Sequence, residues 1–180
     1  CQLKALELPL ASDPGERWEY GMGIDWAGRM VEAVTGLSLE AYMRLHLWQP
    51  LAMHHTGFHI TPEMRRRLAG VHLRGEDGAF TPLPFEITQE PEFHMGGGAL
   101  YSTIGDYARF MRMVLNLGQL DGERVLKPET VATHLMLNQL GNARVRPLCA
   151  AIPLTADAEF FPGLRKSWSL AFQINEEVAP

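Results

Sequence analysis

Residues 167–174 read Ser-Trp-Ser-Leu-Ala-Phe-Gln-Ile, so Trp168, Leu170, Phe172 and Ile174 alternate with Ser167, Ser169, Ala171 and Gln173. A period of two is the pattern of a strand with one buried face. Such a strand constrains the whole fold, because its backbone must pair and even a two-stranded hairpin is marginal alone in water. No other stretch has comparable strand character, and the chain ends six residues after Ile174. The expectation is a strand whose sheet lies elsewhere, in a segment of a longer protein. Left bare, its apolar face and edge invite self-association.

The rest of the chain reads mainly as helices. Ile24, Ala27, Val31 and Val34 predict the buried stripe of a helix over 24–35, with Asp25, Arg29 and Glu32 as a charged face and an attractive Asp25–Arg29 pair. Gly36 stops it. Ser38 caps a second helix through Leu39, Tyr42, Met43 and Leu47 that Pro50 ends, and the short turn between the two implies that they pack together. Residues 54–100 are irregular, with a short helix over 62–68 and a hairpin around Gly75–Gly78. A third helix over 104–117 is capped by Thr103, carries Tyr107, Phe110, Met111, Val114 and Leu115 as its apolar stripe, and closes at Gly118. Asp121-Gly122 is a turn, and Pro128 opens a fourth helix through Leu135.

Composition bounds the function. With 46% hydrophobic and 21% charged residues the chain is an ordinary globular one that can bury a core. Sixteen basic against 21 acidic residues, net −5, give no reason to expect nucleic acid or an anionic membrane as partner. The run Arg65-Arg66-Arg67 reads as a solvated helix face. Cys1 and Cys149 cannot make a disulfide framework; two free thiols in a reducing compartment is the first reading and a single bridge the alternative. No apolar run approaches the ~20 residues of a membrane span, and no charged-then-apolar leader is visible. A cytoplasmic location is therefore expected.

Few residues suggest chemistry unaided. His54, His55 and His59 lack the H-E-x-x-H pattern and a nearby acidic cluster, so no metal is expected there. Gly96-Gly97-Gly98 has neither a following Lys-Ser/Thr nor G-x-G-x-x-G spacing; it marks either close backbone packing or the approach of a ligand. No G-x-S-x-G elbow occurs, and none of Lys4, Lys127 and Lys166 has a serine three residues before it. Tyr20, at the entrance of the first helix, reads by itself as a half-buried packing residue.

The run PGERWEYGMGIDWAGRMVEAVTGLSLEAYMRLHLWQPLAM over 14–53 changes that reading. It resembles the serine β-lactamase-like family of penicillin-recognising enzymes, in the esterase and fungal transesterase (statin acyltransferase-like) branch. GGGALYSTIGDYARFMRMVLNLG over 96–118 is similar to the same family's Gly-Gly turn and following helix, and KPETVATHLMLNQL over 127–140 and SWSLAFQI over 167–174 are weaker matches. The resemblance implies an α+β, β-lactamase/transpeptidase-like fold, with residues 1–180 forming part of one domain: mostly its helical lobe plus one or a few strands of the sheet.

It also implies a site. The family places the Ser and Lys of an S-x-x-K beside a Tyr that opens a Tyr-x-Asn or Tyr-Ser-x loop, and the motif match carries that catalytic role to Tyr20. Met22, Gly97 and Gly98 are then the substrate-binding positions. Free tyrosine ionises near ~10, and a neighbouring ammonium favours the phenolate, so the pair can take the serine proton and return it to a leaving alcohol. Backbone N–H groups would hold the oxyanion. Where β-lactamases have Tyr-x-Asn this chain has Tyr20-Gly21-Met22. Methionine cannot grip the side-chain amide of a β-lactam, so ester chemistry on an apolar acyl group is expected, with no cofactor. The partner is a small-molecule ester or acyl thioester. By the resemblance the S-x-x-K would precede Cys1 and the final strands would follow Pro180, so the chain alone is expected to be silent. The alternative is a non-catalytic binding or assembly module.

Overall fold

The computed structural model describes residues 2–10, 12–145 and 158–178. Cys1 and Cys149, on which the thiol reading rests, lie outside the described residues. The chain divides into two compact units, one of Cys1–Glu7 with Gly23–Phe110 and one of Leu8–Met22 with Met111–Pro180. Among the described residues no helix is long and apolar enough to cross a membrane.

In the first unit, α1 (Gly23–Thr35) ends where Gly36 adopts φ +71° and donates its N–H to Glu32 O at 2.9 Å. Ser38 then caps α2 (Leu39–Met43), its Oγ accepting the Ala41 N–H at 3.2 Å, and the helix widens into a π-helical turn over Arg44–Trp48 before Pro50. The two helices pack as expected: the Glu32 carboxylate accepts the Leu39 N–H at 2.8 Å. The face that α1 buries is different from the expected stripe. Asp25 and Gly28 are buried, Val31 is half-buried, and Ala27, Ile24 and Val34 are exposed, the last by 85%. Close approach decides this. A Cβ on Gly28 would stand 3.0 Å from Leu39 Cδ2, so a larger residue there would have to displace the leucine tip. Asp25 turns inward to accept the Gly97 N–H at 2.9 Å, and Arg29 therefore pairs with Glu32 instead.

After the core residues Leu51, Met53, Phe58 and Ile60 comes α3 (Pro62–Arg66), capped by Thr61 Oγ1, which accepts the Met64 N–H at 3.1 Å. Its arginines lie at the surface, as expected, with Arg65 paired to Glu86 and Arg67 to Glu63. The predicted hairpin is β1 (Val71–Arg74) and β2 (Phe80–Leu83), antiparallel with Arg74 opposite Phe80.

Helix α4 (Ile104–Leu115) starts at Thr103, whose Oγ1 accepts the Asp106 N–H at 3.1 Å. Here too the buried line is displaced: Tyr107, Met111 and Leu115 are exposed, Phe110 is half-buried, and Asp106, Met113 and Val114 are buried. Asp106 explains the rotation. Its Oδ2 accepts the His55 N–H at 2.8 Å and the Thr56 hydroxyl at 2.9 Å, and a buried carboxylate so bonded sets which face turns in. Asp106→Ala strands both donors, and is expected to cost about 3 kcal/mol by urea unfolding, whereas Asp106→Asn keeps one acceptor and should cost less.

In the second unit, Met113, Val114, Leu120 and Val131 are buried. The Asp121-Gly122 turn, with φ of 50° and 92°, joins β3 (Gln119–Leu120) to β4 (Glu123–Arg124). Pro128 opens α5 (Pro128–Thr130), which widens into a π-helical turn over Val131–Leu135.

The C-terminal strand is corrected by the structure. It is two short strands, β5 (Lys166–Trp168) and β6 (Gln173–Asn175), antiparallel with Trp168 opposite Gln173. Ser169 breaks the run: its Oγ accepts the N–H groups of Ala171 (3.1 Å) and Phe172 (2.8 Å), and its own N–H donates to Phe172 O at 2.8 Å. The other edge of β5 accepts the N–H groups of Gln139 (2.9 Å, on Trp168 O) and Val145 (3.0 Å, on Lys166 O). Both edges of β5 are thus paired within this chain, and the buried residues here are Lys166, Ser167 and Ser169 instead of the apolar set.

Candidate active site

Tyr20 lies in the segment that leads into α1, in the second unit, and its position follows from an aromatic chain. β6 fixes β5, which carries Trp168; the Trp18 ring stacks on Trp168 with centroids 5.5 Å apart and planes at 28°. Tyr20 then meets Trp18 edge-on, at 6.4 Å and 63°. Aromatic pairs of this kind contribute roughly 0.5–1.5 kcal/mol each beyond the area they bury. Together they locate a ring that is otherwise 73% exposed. The structure therefore corrects the bland reading of a half-buried packing tyrosine: the ring is held by Trp18 on one side and is otherwise exposed. Arg17 and Glu19 pair at 2.9 Å in the same segment.

Met22, half-buried, belongs to the same unit as Tyr20, whereas Gly97 and Gly98 belong to the first. The glycine run is packed against α1. A Cβ on Gly96 would fall 2.2 Å from Ile24 O, and one on Gly97 would fall 2.6 Å from Ile24 Cγ2. Bare backbone is needed at both, and the Gly97 N–H is already given to Asp25. Gly98 has only Met95 Cε nearby, at 3.8 Å from a built Cβ, and is half-buried.

Sequence reasoning passed over Trp18, and took Trp168 for a residue of a buried strand face. The signal available was Trp18 two residues before Tyr20, a spacing that puts two rings on one side of an extended segment. Of the serines, Ser102 shares a hydrogen bond with Thr56 Oγ1 at 2.8 Å, and that hydroxyl donates to Asp106; the chain serves the start of α4. In the first unit, Glu40, His59 and His94 also converge, a combination that no sequence spacing suggests.

Comparison with known proteins bears on the family and the fold. The beta-lactamase family model matches residues 4–154. Monacolin J acid methylbutanoyltransferase of Aspergillus terreus is 33% identical over 132 residues, covering 70% of this chain and 30% of that protein. Lovastatin esterase of Penicillium rubens is 32% identical over 141 residues, 70% of this chain and 35% of that protein. The unliganded simvastatin synthase (LovD) from Aspergillus terreus superposes with a TM-score of 0.71 at 26% identity, over 98% of this chain and 43% of that one. The chain thus spans about a third of the length of the curated relatives it matches, among them the uncharacterised Protein Rv1367c of Mycobacterium tuberculosis, 36% identical over 127 residues. With a matched family model over most of its residues and the corresponding fold, the chain belongs to the beta-lactamase family.

Proposed function

We propose that this chain is the tyrosine-bearing part of a serine-dependent esterase or acyltransferase that works through an acyl-enzyme. The observation that carries the reading is Tyr20: an exposed phenol, held by Trp18 against Trp168, in the segment whose residues match the family's Tyr-x-x loop. The names of the relatives support it, since one transfers a methylbutanoyl group and another is an esterase.

The step follows from the chemistry of such a pair. A phenolate at Tyr20 takes the proton of a serine hydroxyl as that oxygen attacks the ester carbonyl. The tetrahedral intermediate collapses, its C–O bond to the alcohol breaks, and the phenol gives the proton to the departing alkoxide. Water or a second alcohol then repeats the cycle on the acyl-serine. The serine and lysine of an S-x-x-K are not in these 180 residues, so this chain by itself holds a base with nothing to deprotonate. Met22 at the third position of the loop favours an apolar acyl group over the amide-bearing side chain of a β-lactam.

The test compares p-nitrophenyl butyrate with nitrocefin, using this chain and a protein in which the S-x-x-K segment accompanies it. The chain alone should hydrolyse the ester no faster than its Tyr20→Phe variant. The protein carrying both parts should turn over the ester ~10²-fold faster than nitrocefin, because a site without the amide-gripping group discriminates at about that level. Equal rates on the two substrates, or a Tyr20-dependent rate from the chain alone, would overturn the reading.

A further inference from the structure

We propose that Glu40, His59 and His94 bind one divalent transition-metal ion of the zinc class, fastening the loop ahead of the glycine run to α2. Three segments distant in sequence supply the ligands: the first turn of α2, the loop after Phe58, and the loop before Gly96. One ligand atom from each lies within 4.8 Å of the other two. Glu40 is oriented for the task. Arg44 Nη2 donates to its Oε1 at 2.5 Å, which leaves Oε2 facing His59 Nδ1 at 2.5 Å and His94 Nε2 at 4.0 Å. Partners of this kind, one bond behind the ligand, are what fix a metal-binding carboxylate.

A plain ion pair between Glu40 and His59 accounts for only half of this. His94 points Nε2 at the same carboxylate oxygen from beyond hydrogen-bonding distance, its ring stacked on Phe58 (4.5 Å, 21°) and perpendicular to that of His59 (5.3 Å, 87°). Burial holds its pKa below the ordinary value, even though Glu40 pulls the other way. Ligands around a tetrahedral zinc stand roughly 3.3 Å apart, given zinc–ligand distances near 2.0–2.1 Å. Each of these two separations, 2.5 and 4.0 Å, must change by under about 1 Å to reach that; the half-exposed His59 can open the first, and the second closes by a shift of Glu40 or His94. Two imidazoles and one carboxylate suit zinc better than magnesium or calcium, with a water in the fourth position.

Zinc titration of the chelator-stripped full chain by calorimetry tests this, with thermal unfolding as a second readout. The expected result is one ion per chain, with affinity at least about 100-fold weaker in H59Q and in E40Q and unchanged in the hairpin variant H72Q. Zinc should raise Tm by a few degrees in the parent and not in H59Q, since an ion that binds only the folded state stabilises it. H59Q removes a solvent-facing ring, so its folding is not at stake. Absence of zinc uptake by the parent, or an affinity that H59Q leaves within about threefold, overturns the proposal and leaves the cluster a hydrogen-bonded ion pair.

Discussion

Tyr20→Phe, the removal of one oxygen atom, is expected to lower kcat/KM for p-nitrophenyl butyrate about 10²–10⁴-fold in a protein that unites this chain with the S-x-x-K segment. The drop should appear in kcat and not in KM, because a proton shuttle acts in the transition state and adds little to ground-state binding. Stability should stay within about 0.5 kcal/mol, since the ring is 73% exposed and its edge contact with Trp18 is kept by phenylalanine. That separation matters. A variant that lost activity by unfolding would lower the urea midpoint in step, whereas loss of the shuttle leaves the midpoint alone. A reduction of less than threefold, with the fold intact, would remove Tyr20 from the proposed chemistry.

How far residues alone reveal this molecule depends on what holds each part. Ends of elements were readable: Thr103, Ser38, Gly36, Gly118, Pro128 and the Asp121-Gly122 turn each act where local chemistry places them, because capping and φ preference need only a few neighbouring residues. Faces were not. α1 and α4 both turn a carboxylate inward, Asp25 to a glycine N–H from 72 residues away and Asp106 to His55 and Thr56 from about 50 residues away. Apolar periodicity assigns such residues to solvent, so both stripes were displaced. The terminal strand failed for the opposite reason. Its alternation was real, but a side-chain-to-backbone turn at Ser169 outweighed it locally. The role proposed for Tyr20 rests on the motif of its loop, while the Trp18–Trp168 stack that positions it joins residues 150 apart and leaves no pattern in the sequence.

The largest losses of stability are expected from adding a single methyl group at Gly96 or Gly118, and they should separate two causes. At Gly96 the backbone dihedral is open to any residue, but a Cβ would stand 2.2 Å from Ile24 O and 2.9 Å from Ile24 C. These are backbone atoms in the first turn of α1 that cannot rotate away, so Gly96→Ala must push the glycine loop off the helix. Overpacking of this kind costs up to about 3 kcal/mol. At Gly118 a Cβ would stand 2.2 Å from Leu126 O, and the residue also sits at φ +87°, where an L side chain adds roughly 1–2 kcal/mol of its own. Gly118→Ala should therefore cost about 1–2 kcal/mol more than Gly96→Ala in urea unfolding. Gly105→Ala supplies the contrast. It lies within α4 with nothing nearer to a built Cβ than Thr103 Oγ1 at 3.9 Å, and alanine there should stabilise by about 0.5–1 kcal/mol. If Gly96→Ala matched Gly105→Ala, the Gly96 backbone would not be seated on α1, and the Asp25 hydrogen bond to Gly97 that depends on that seat would fall with it.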